Sequence, residues 1–349
     1  GILQPPGIEV YATVDRYRKA FPSNGGPAVG LLFSRHSFTN SDGGLELALI
    51  EALENEGLSV LPVFCNGTPD PETGSLGPIG TAERFFFDET GKSRISALVN
   101  LHFFFLGRER GEDTSETGVA AQSVALFKKL DVPVFKPFVS YSKSAAEWEE
   151  DPQGVTADVC FGIAMPEFEG HIEPLIMACS RKIEDAASGS VYEIREILEE
   201  RVQRIAERIA RWVRLSEKKP HERKAVFVLH KNECAGLEAS VGGAGGLDTG
   251  ESVVRIMRAL RAEGYRLDNI PETGEDLMQL ILSRKAIAEF RWTTVDEIVE
   301  KNGHLLLLEN ETYRFWFDAL PEKAKRELVK SWGNPPGEEL NGVPPSMVY

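Results

Sequence analysis

The feature that most constrains this chain is the way short apolar runs alternate with helical segments in its first half. Residues 28–33 (Ala-Val-Gly-Leu-Leu-Phe) form an uninterrupted apolar run, which reads as a strand buried on both faces. Residues 45–56 have helical periodicity and stop at Gly57, a residue suited to a helix C-terminus. Residues 58–64 read as the next strand and 66–79 as a loop. Further strands are expected at 95–105, 132–139 and 159–164, with helices at 117–129 and 144–150. Strand–helix alternation of this kind predicts a parallel sheet covered by helices on both faces. The fold class expected is therefore α/β, with Rossmann-like or flavodoxin-like units.

Residues 190–218 place Ile194, Ile197, Leu198, Val202, Ile205, Ile209, Trp212 and Val213 at spacings of three and four. This pattern predicts one long amphipathic helix. It either connects two domains or closes the first. The expected organisation is a lead-in segment (1–27), a first α/β domain (28–189), a connecting helix (190–222) and a second, incomplete α/β unit (223–349). In that unit, strands are expected at 225–229 and 265–270, and helices at 251–263, 275–282, 294–301 and 321–332.

Charge and composition exclude several function classes. Thirty-nine Lys and Arg against 54 Asp and Glu give a net charge of −15. Such a balance opposes nucleic-acid binding and docking on anionic membranes. No apolar run is long enough to span a bilayer. The four cysteines form no Cys-x-x-Cys pair, so free thiols in a reducing cytoplasm are the simpler expectation. The opening residues lack a signal-peptide layout and an initiator Met, which suggests a piece of a longer protein.

Three stretches could carry chemistry. The first is Gly-rich, following an expected strand and preceding a helix. It runs from Cys234 to Thr249 and contains Glu238, Gly242, Gly243, Gly245, Gly246, Asp248 and Thr249. Backbone N–H groups and a helix N-terminus there could meet an anion. The spacing fits neither a dinucleotide nor a Walker fingerprint, and a simple loop with a capping Asp248 or Thr249 reads the same residues. The second stretch carries Arg35, His36 and Asp42 after the first strand, and His102 could approach the same sheet edge. His36 could transfer a proton, or merely bond locally while Asp42 caps the next helix. The third holds Glu167, Glu169, His171 and Glu173. If extended, it would put Glu167 and Glu169 on one side with His171 following, as a possible metal site. A solvated turn is the alternative. Phe85-Phe86-Phe87 and Phe103-Phe104-Phe105 could line an apolar cavity, or simply pack the core.

Several stretches together resemble the family of the cobaltochelatase large subunit and the magnesium chelatase H subunit. They are Val29 to His36, Ile50 to Leu58 with Pro62-Val63-Phe64, Leu130-Asp131-Val132-Pro133-Val134 and Glu147-Trp148. Further along come Pro166-Glu167-Phe168-Glu169-Gly170, Glu238 to Val253, Pro271-Glu272-Thr273-Gly274, Trp316 to Pro321 and Trp332 to Glu338. Their order is that of the family, over about residues 28 to 340. Two departures stand out: His230-Lys231-Asn232-Glu233-Cys234 replaces a Pro-Pro-Gly of many relatives, and the family's downstream Gly-Thr-His-Gly stretch is absent.

The resemblance implies ATP-dependent insertion of cobalt or magnesium into a tetrapyrrole such as hydrogenobyrinic acid diamide or protoporphyrin. Separate AAA+ subunits would use the ATP, and this fragment alone would be inactive. It implies His36, Glu167 and Glu238 as catalytic candidates. Arg35, His102, Gly242, Gly243, Gly245, Gly246, Asp248 and Thr249 would meet the macrocycle, and Glu167, Glu169 and His171 the metal. A non-catalytic scaffold that docks the motor subunits is the alternative.

Overall fold

The computed structural model describes residues 1–5, 7, 9–40, 42–103, 106–107, 116–186, 188–230, 242, 246–284, 294–304, 306–335 and 347–348. The chain forms two compact units, Gly1–Glu217 and Lys218–Tyr349.

The first unit is built on a sheet in the order β2-β1-β4-β3-β7-β8. Its centre is β3 (Ala28–Ser34), parallel both to β4 (Ser59–Cys65) and to β7 (Ala97–Asn100). Strand β8 (Val134–Phe135) continues the parallel set, while β1 (Ile2–Leu3) and β2 (Val10–Tyr11) add antiparallel to the far edge. Every residue of β4 is buried, as both-face covering requires. On one face, α3 (Gly44–Asn55) and α8 (Glu199–Glu217) pack with Val29, Leu31 and Phe33. On the other, α4 (Gly77–Phe86) and α5 (Glu116–Leu130) pack with Leu32, Leu61 and Val63. Gly30 is needed for that second layer: a Cβ there would lie 2.9 Å from both Phe86 and Ile95.

A second sheet has the order β11-β10-β9. Its strands are β9 (Phe138–Ser140), β10 (Ile176–Glu184) and β11 (Val191–Ile197). The expected strand at 132–139 is thus two strands in two sheets, broken at Lys136-Pro137, where proline supplies no ladder donor. The expected strand at 159–164 is helical. Residues Cys160–Ala164 form a π turn leading into α7 (Met165–Glu169). A short apolar run fits a packed helix as well as a strand, and here Gly162 seats the turn against Phe138.

The long helix begins at Glu199 rather than 190, because β11 pairs antiparallel with β10 from Val191 to Ile197. Its buried stripe (Val202, Ile205, Ala206, Ile209, Ala210 and Val213) belongs to the core of the first unit.

In the second unit the expected strands at 225–229 and 265–270 are not strands; Val226 and Val228 are 76% and 90% exposed. Its described elements are the helices Thr249–Ala262, Gly274–Ser283, Val295–Glu300, Asn310–Asp318 and Glu322–Trp332, with a short antiparallel pair, Leu307–Leu308 and Met347–Val348. Gly250 and Gly274 let the first two helices meet closely, since a Cβ on Gly274 would strike the Glu251 backbone.

Strand β11 is tied to the start of α3 by one arginine. Arg195 grips the buried Glu46 carboxylate through both terminal nitrogens (3.1 and 2.8 Å), and its Nε reaches Asp42 at 2.7 Å. Removing one member of such a buried pair strands the other charge. Arg195→Met is therefore expected to destabilise the first unit by about 3 kcal/mol in urea unfolding. Adding Glu46→Leu should restore part of that loss; strict additivity of the two changes would contradict the coupling.

Candidate functional site

The strand order reverses at β3: the chain runs through α3 to β4 on one side and then returns through α4 across β3 to β7 on the other. In open parallel sheets, ligands bind outside the carboxyl ends of strands where the order reverses this way. A crevice of about 770 Å³ lies there. This falls within the usual size range of small-molecule sites, roughly 300–1,000 Å³.

Its walls come from both sheets. From the end of β3 and the helix α2 (Arg35–Thr39) come Ser34 and His36; from beyond β7 come His102 and Phe103. The second sheet and its connections supply Tyr141, Asp158, Phe161 and Arg195. Phe103 stacks on Phe161 (centroids 5.5 Å apart, planes 25° apart), and Tyr141 meets Phe103 edge-on at 5.5 Å. All three rings are also partly exposed, giving the crevice an aromatic wall.

Four carboxylates (Asp42, Glu46, Asp158 and Glu193) and two cations (Lys136 and Arg195) line the cavity among the described residues. Asp158 is buried and accepts hydrogen bonds from Ser140 (2.5 Å) and Ser142 (2.7 Å). The excess of negative charge favours cations at the crevice.

Behind the cavity is a buried polar network. Asn100 ends β7; its Oδ1 accepts from the His102 backbone and its Nδ2 donates to His171 Nε2, both at 2.9 Å. His171 Nδ1 donates to the Pro166 carbonyl at 3.0 Å, which fixes the neutral tautomer. Burial, reinforced by Lys136, depresses the His171 pKa to about 3 and that of His102 to about 4. The His102 Nε2 lies 3.2 Å from Cys65 Sγ, a thiol pushed up to about 12 by burial. Glu169 is held by Ser123 Oγ and the Leu106 N–H (2.9 Å), and burial raises its pKa to about 6.

The crevice therefore brings together His36 and His102. His36 is exposed on α2, with Asn40 Nδ2 2.8 Å from its Nε2. Arg35 is exposed on the same helix, beside a separate shallow depression with Thr39 and Gly67.

The 166–173 segment is not extended. Helix α7 ends at Gly170 with φ 94°, so Glu167 faces solvent while Glu169 and His171 point inward. Glu173 instead forms a bidentate pair with Arg208 on α8. Among the described residues, no three His, Cys, Asp or Glu side chains converge on a cation site.

In the second unit, Asp248 caps the helix Thr249–Ala262 by accepting from the Glu251 N–H, and Thr249 Oγ1 donates to the Gly242 carbonyl. Gly242 and Gly246 have φ of 72° and 87°. Glu233, Glu238, Gly243 and Gly245 lie outside the described residues, as do Phe104 and Phe105. Phe85, Phe86 and Phe87 are core residues.

Sequence reasoning missed Lys136, Asn100, Glu46, Arg195, Asp158 and Phe161. Lys136 did leave a signal: it is a lone charge within the apolar run 132–139. The others become legible only when the second sheet is placed over the first.

These features define an α/β unit with a crevice at its sheet edge, and comparison with known proteins gives it a family. The sequence model of the CobN/magnesium chelatase family matches residues 1–348, and the chain belongs to that family. An uncharacterized protein of Methanocaldococcus jannaschii is 40% identical over 98% of this chain and 27% of its own length. The aerobic cobaltochelatase subunit CobN of a Sinorhizobium species is 28% identical over 88% of this chain and 22% of its own. The solved catalytic subunit of cobaltochelatase from Mycobacterium tuberculosis shares the fold with a TM-score of 0.66. It is 24% identical and matches all of this chain with 26% of its own. The chain thus spans about a quarter of the length of these relatives. Among the described residues no helix is long and apolar enough to cross a membrane.

The buried histidines set an acid sensitivity. Their folded pKa values lie below the ordinary value of 6.5, so the unfolded chain binds more protons as pH falls through 6.5 toward 4 and 3. Their stabilising contribution is present above pH 6.5 and is lost across that window. Glu169 acts oppositely and over a narrower span, from 4.5 to about 6. The melting temperature of the first unit is expected to fall from pH 7 to pH 4.5. A His102→Gln, His171→Asn double variant should flatten that fall; an unchanged slope would contradict this assignment.

Proposed function

We propose that the crevice of the first unit receives a tetrapyrrole, as part of the large subunit of an ATP-dependent metal chelatase. The observation that carries this reading is the aromatic wall of Phe103, Phe161 and Tyr141 beside a polar floor. A flat, apolar macrocycle with polar substituents matches both surfaces. Family membership supports it, and the named relatives include a cobaltochelatase subunit. Cobalt or magnesium is then the second substrate, delivered to a macrocycle held here. Separate AAA+ subunits supply the ATP-driven step, and the cytoplasm is the proposed location.

Metal insertion requires two pyrrole N–H protons to leave while the cation sheds water. His36 is the exposed imidazole of the crevice and the best placed group to accept a proton. His102 is poorly suited to that task, because burial makes it a weak base and its ring is engaged with Cys65. Asp42 and Glu193, at the mouth, provide hard oxygen ligands that can replace water on the incoming cation. Glu238 and the Gly-rich loop are proposed as macrocycle-contacting residues from the family motif.

The test is titration of the chain with a hydrogenobyrinic-acid-type corrinoid and with protoporphyrin, followed by absorbance and tryptophan quenching. One of them should bind saturably. Phe161→Ala should weaken that binding about tenfold, the loss of one stacking partner. In the assembled chelatase, His36→Ala should slow metal insertion on the order of 100-fold. Absence of saturable binding by either macrocycle, with retained binding to the AAA+ subunits, would favour the docking-scaffold reading instead.

A further inference from the structure

Lys136 is a buried cation that forms no ion pair among the described residues. It sits at the break between β8 and β9, is 4% exposed, and lines the crevice. Among the described residues its hydrogen bond is to the His102 carbonyl, at 2.5 Å, and no carboxylate lies within ion-pair distance. Glu169 acts on it electrostatically, but one of its oxygens is taken by Ser123 and Leu106. His102 and His171, which also face the ammonium, are neutral and add no charge to balance it. An ammonium out of water is costly unless it is paired and fully hydrogen-bonded. A lysine has three donors, so this one retains donor capacity toward the cavity.

We propose that Lys136 is the receptor for a carboxylate side chain of the macrocycle, at the floor of the crevice. This rests on the tetrapyrrole reading of that site and deepens it. The aromatic wall recognises the flat ring, which all tetrapyrroles share. Lys136 recognises a free carboxylate at the ring's edge, which esterified or amidated relatives lack. The lysine therefore sets specificity for macrocycles that keep an acid group at the inner end. The ligand carboxylate supplies the ion pair that the described residues do not, and removing the acid takes that partner away again.

The experiment uses the chain with Lys136→Met and Lys136→Gln, two variants that preserve much of the side-chain volume. A buried charge replaced by an apolar side chain of similar size is often tolerated, and circular dichroism checks that both fold. First, propionate is titrated against chloride at equal ionic strength. It should raise the melting temperature of the unaltered chain saturably, and that of neither variant. Second, protoporphyrin is compared with its dimethyl ester. The unaltered chain should prefer the acid roughly 10- to 100-fold, the range of a charge-assisted hydrogen bond, and both variants should lose that preference while binding the ester as before. Equal binding of acid and ester by the unaltered chain would overturn the role of Lys136 and leave the tetrapyrrole reading standing. Loss of acid and ester binding in equal measure in the variants would also overturn it. Binding of neither macrocycle would overturn the tetrapyrrole reading and with it this macrocycle-specific proposal, the propionate result alone then deciding whether Lys136 is a carboxylate receptor.

Discussion

Everything in the first unit follows from the parallel pairing of β3 with β4 on one side and β7 on the other. A strand paired on both edges and covered on both faces must be apolar throughout, and 28–33 is. Because the strand order reverses at β3, the loops at its carboxyl end part. The crevice is that parting, closed over by the second sheet. The Lys136-Pro137 break makes the closure possible, since it lets one apolar run serve two sheets in succession.

The price of a polar crevice against an apolar sheet is a set of buried groups that need partners. Asn100 meets the need on one side by bridging the His102 backbone and the His171 ring. Arg195 meets it on the other by joining β11 to Glu46 and Asp42. These devices hold the walls rigid, so a ligand meets a formed surface rather than one it must order. Lys136 lines the cavity with no ion pair among the described residues, and a ligand acid suits it.

The parallel core was legible because its strands are continuous apolar runs and its helices carry clear periodicity; the step from α3 through Gly57 to β4 falls where the pattern puts it. What escaped was governed by tertiary context. The run at 159–164 coils because Gly162 packs on Phe138, and 191–197 extends because β10 offers an edge, although both segments have the wrong local period. Of the site, His36 and His102 could be placed at one sheet edge, His36 after the first expected strand and His102 on the third. Arg195 and Asp158 could not, since nothing local in the sequence says that a second sheet folds over the first. The inward turn of Glu169 away from Glu167 depended on a helix that the charged pattern does not announce.

The central claim is that the macrocycle lies in the crevice between β3 and β7. Hydrogen–deuterium exchange of the chain with and without a bound corrinoid or porphyrin tests it most directly. The account predicts that added protection concentrates at 34–42, 101–103, 138–141 and 158–162, the four segments whose residues line that cavity. Protection confined to 230–250, with those four segments unchanged, would contradict it.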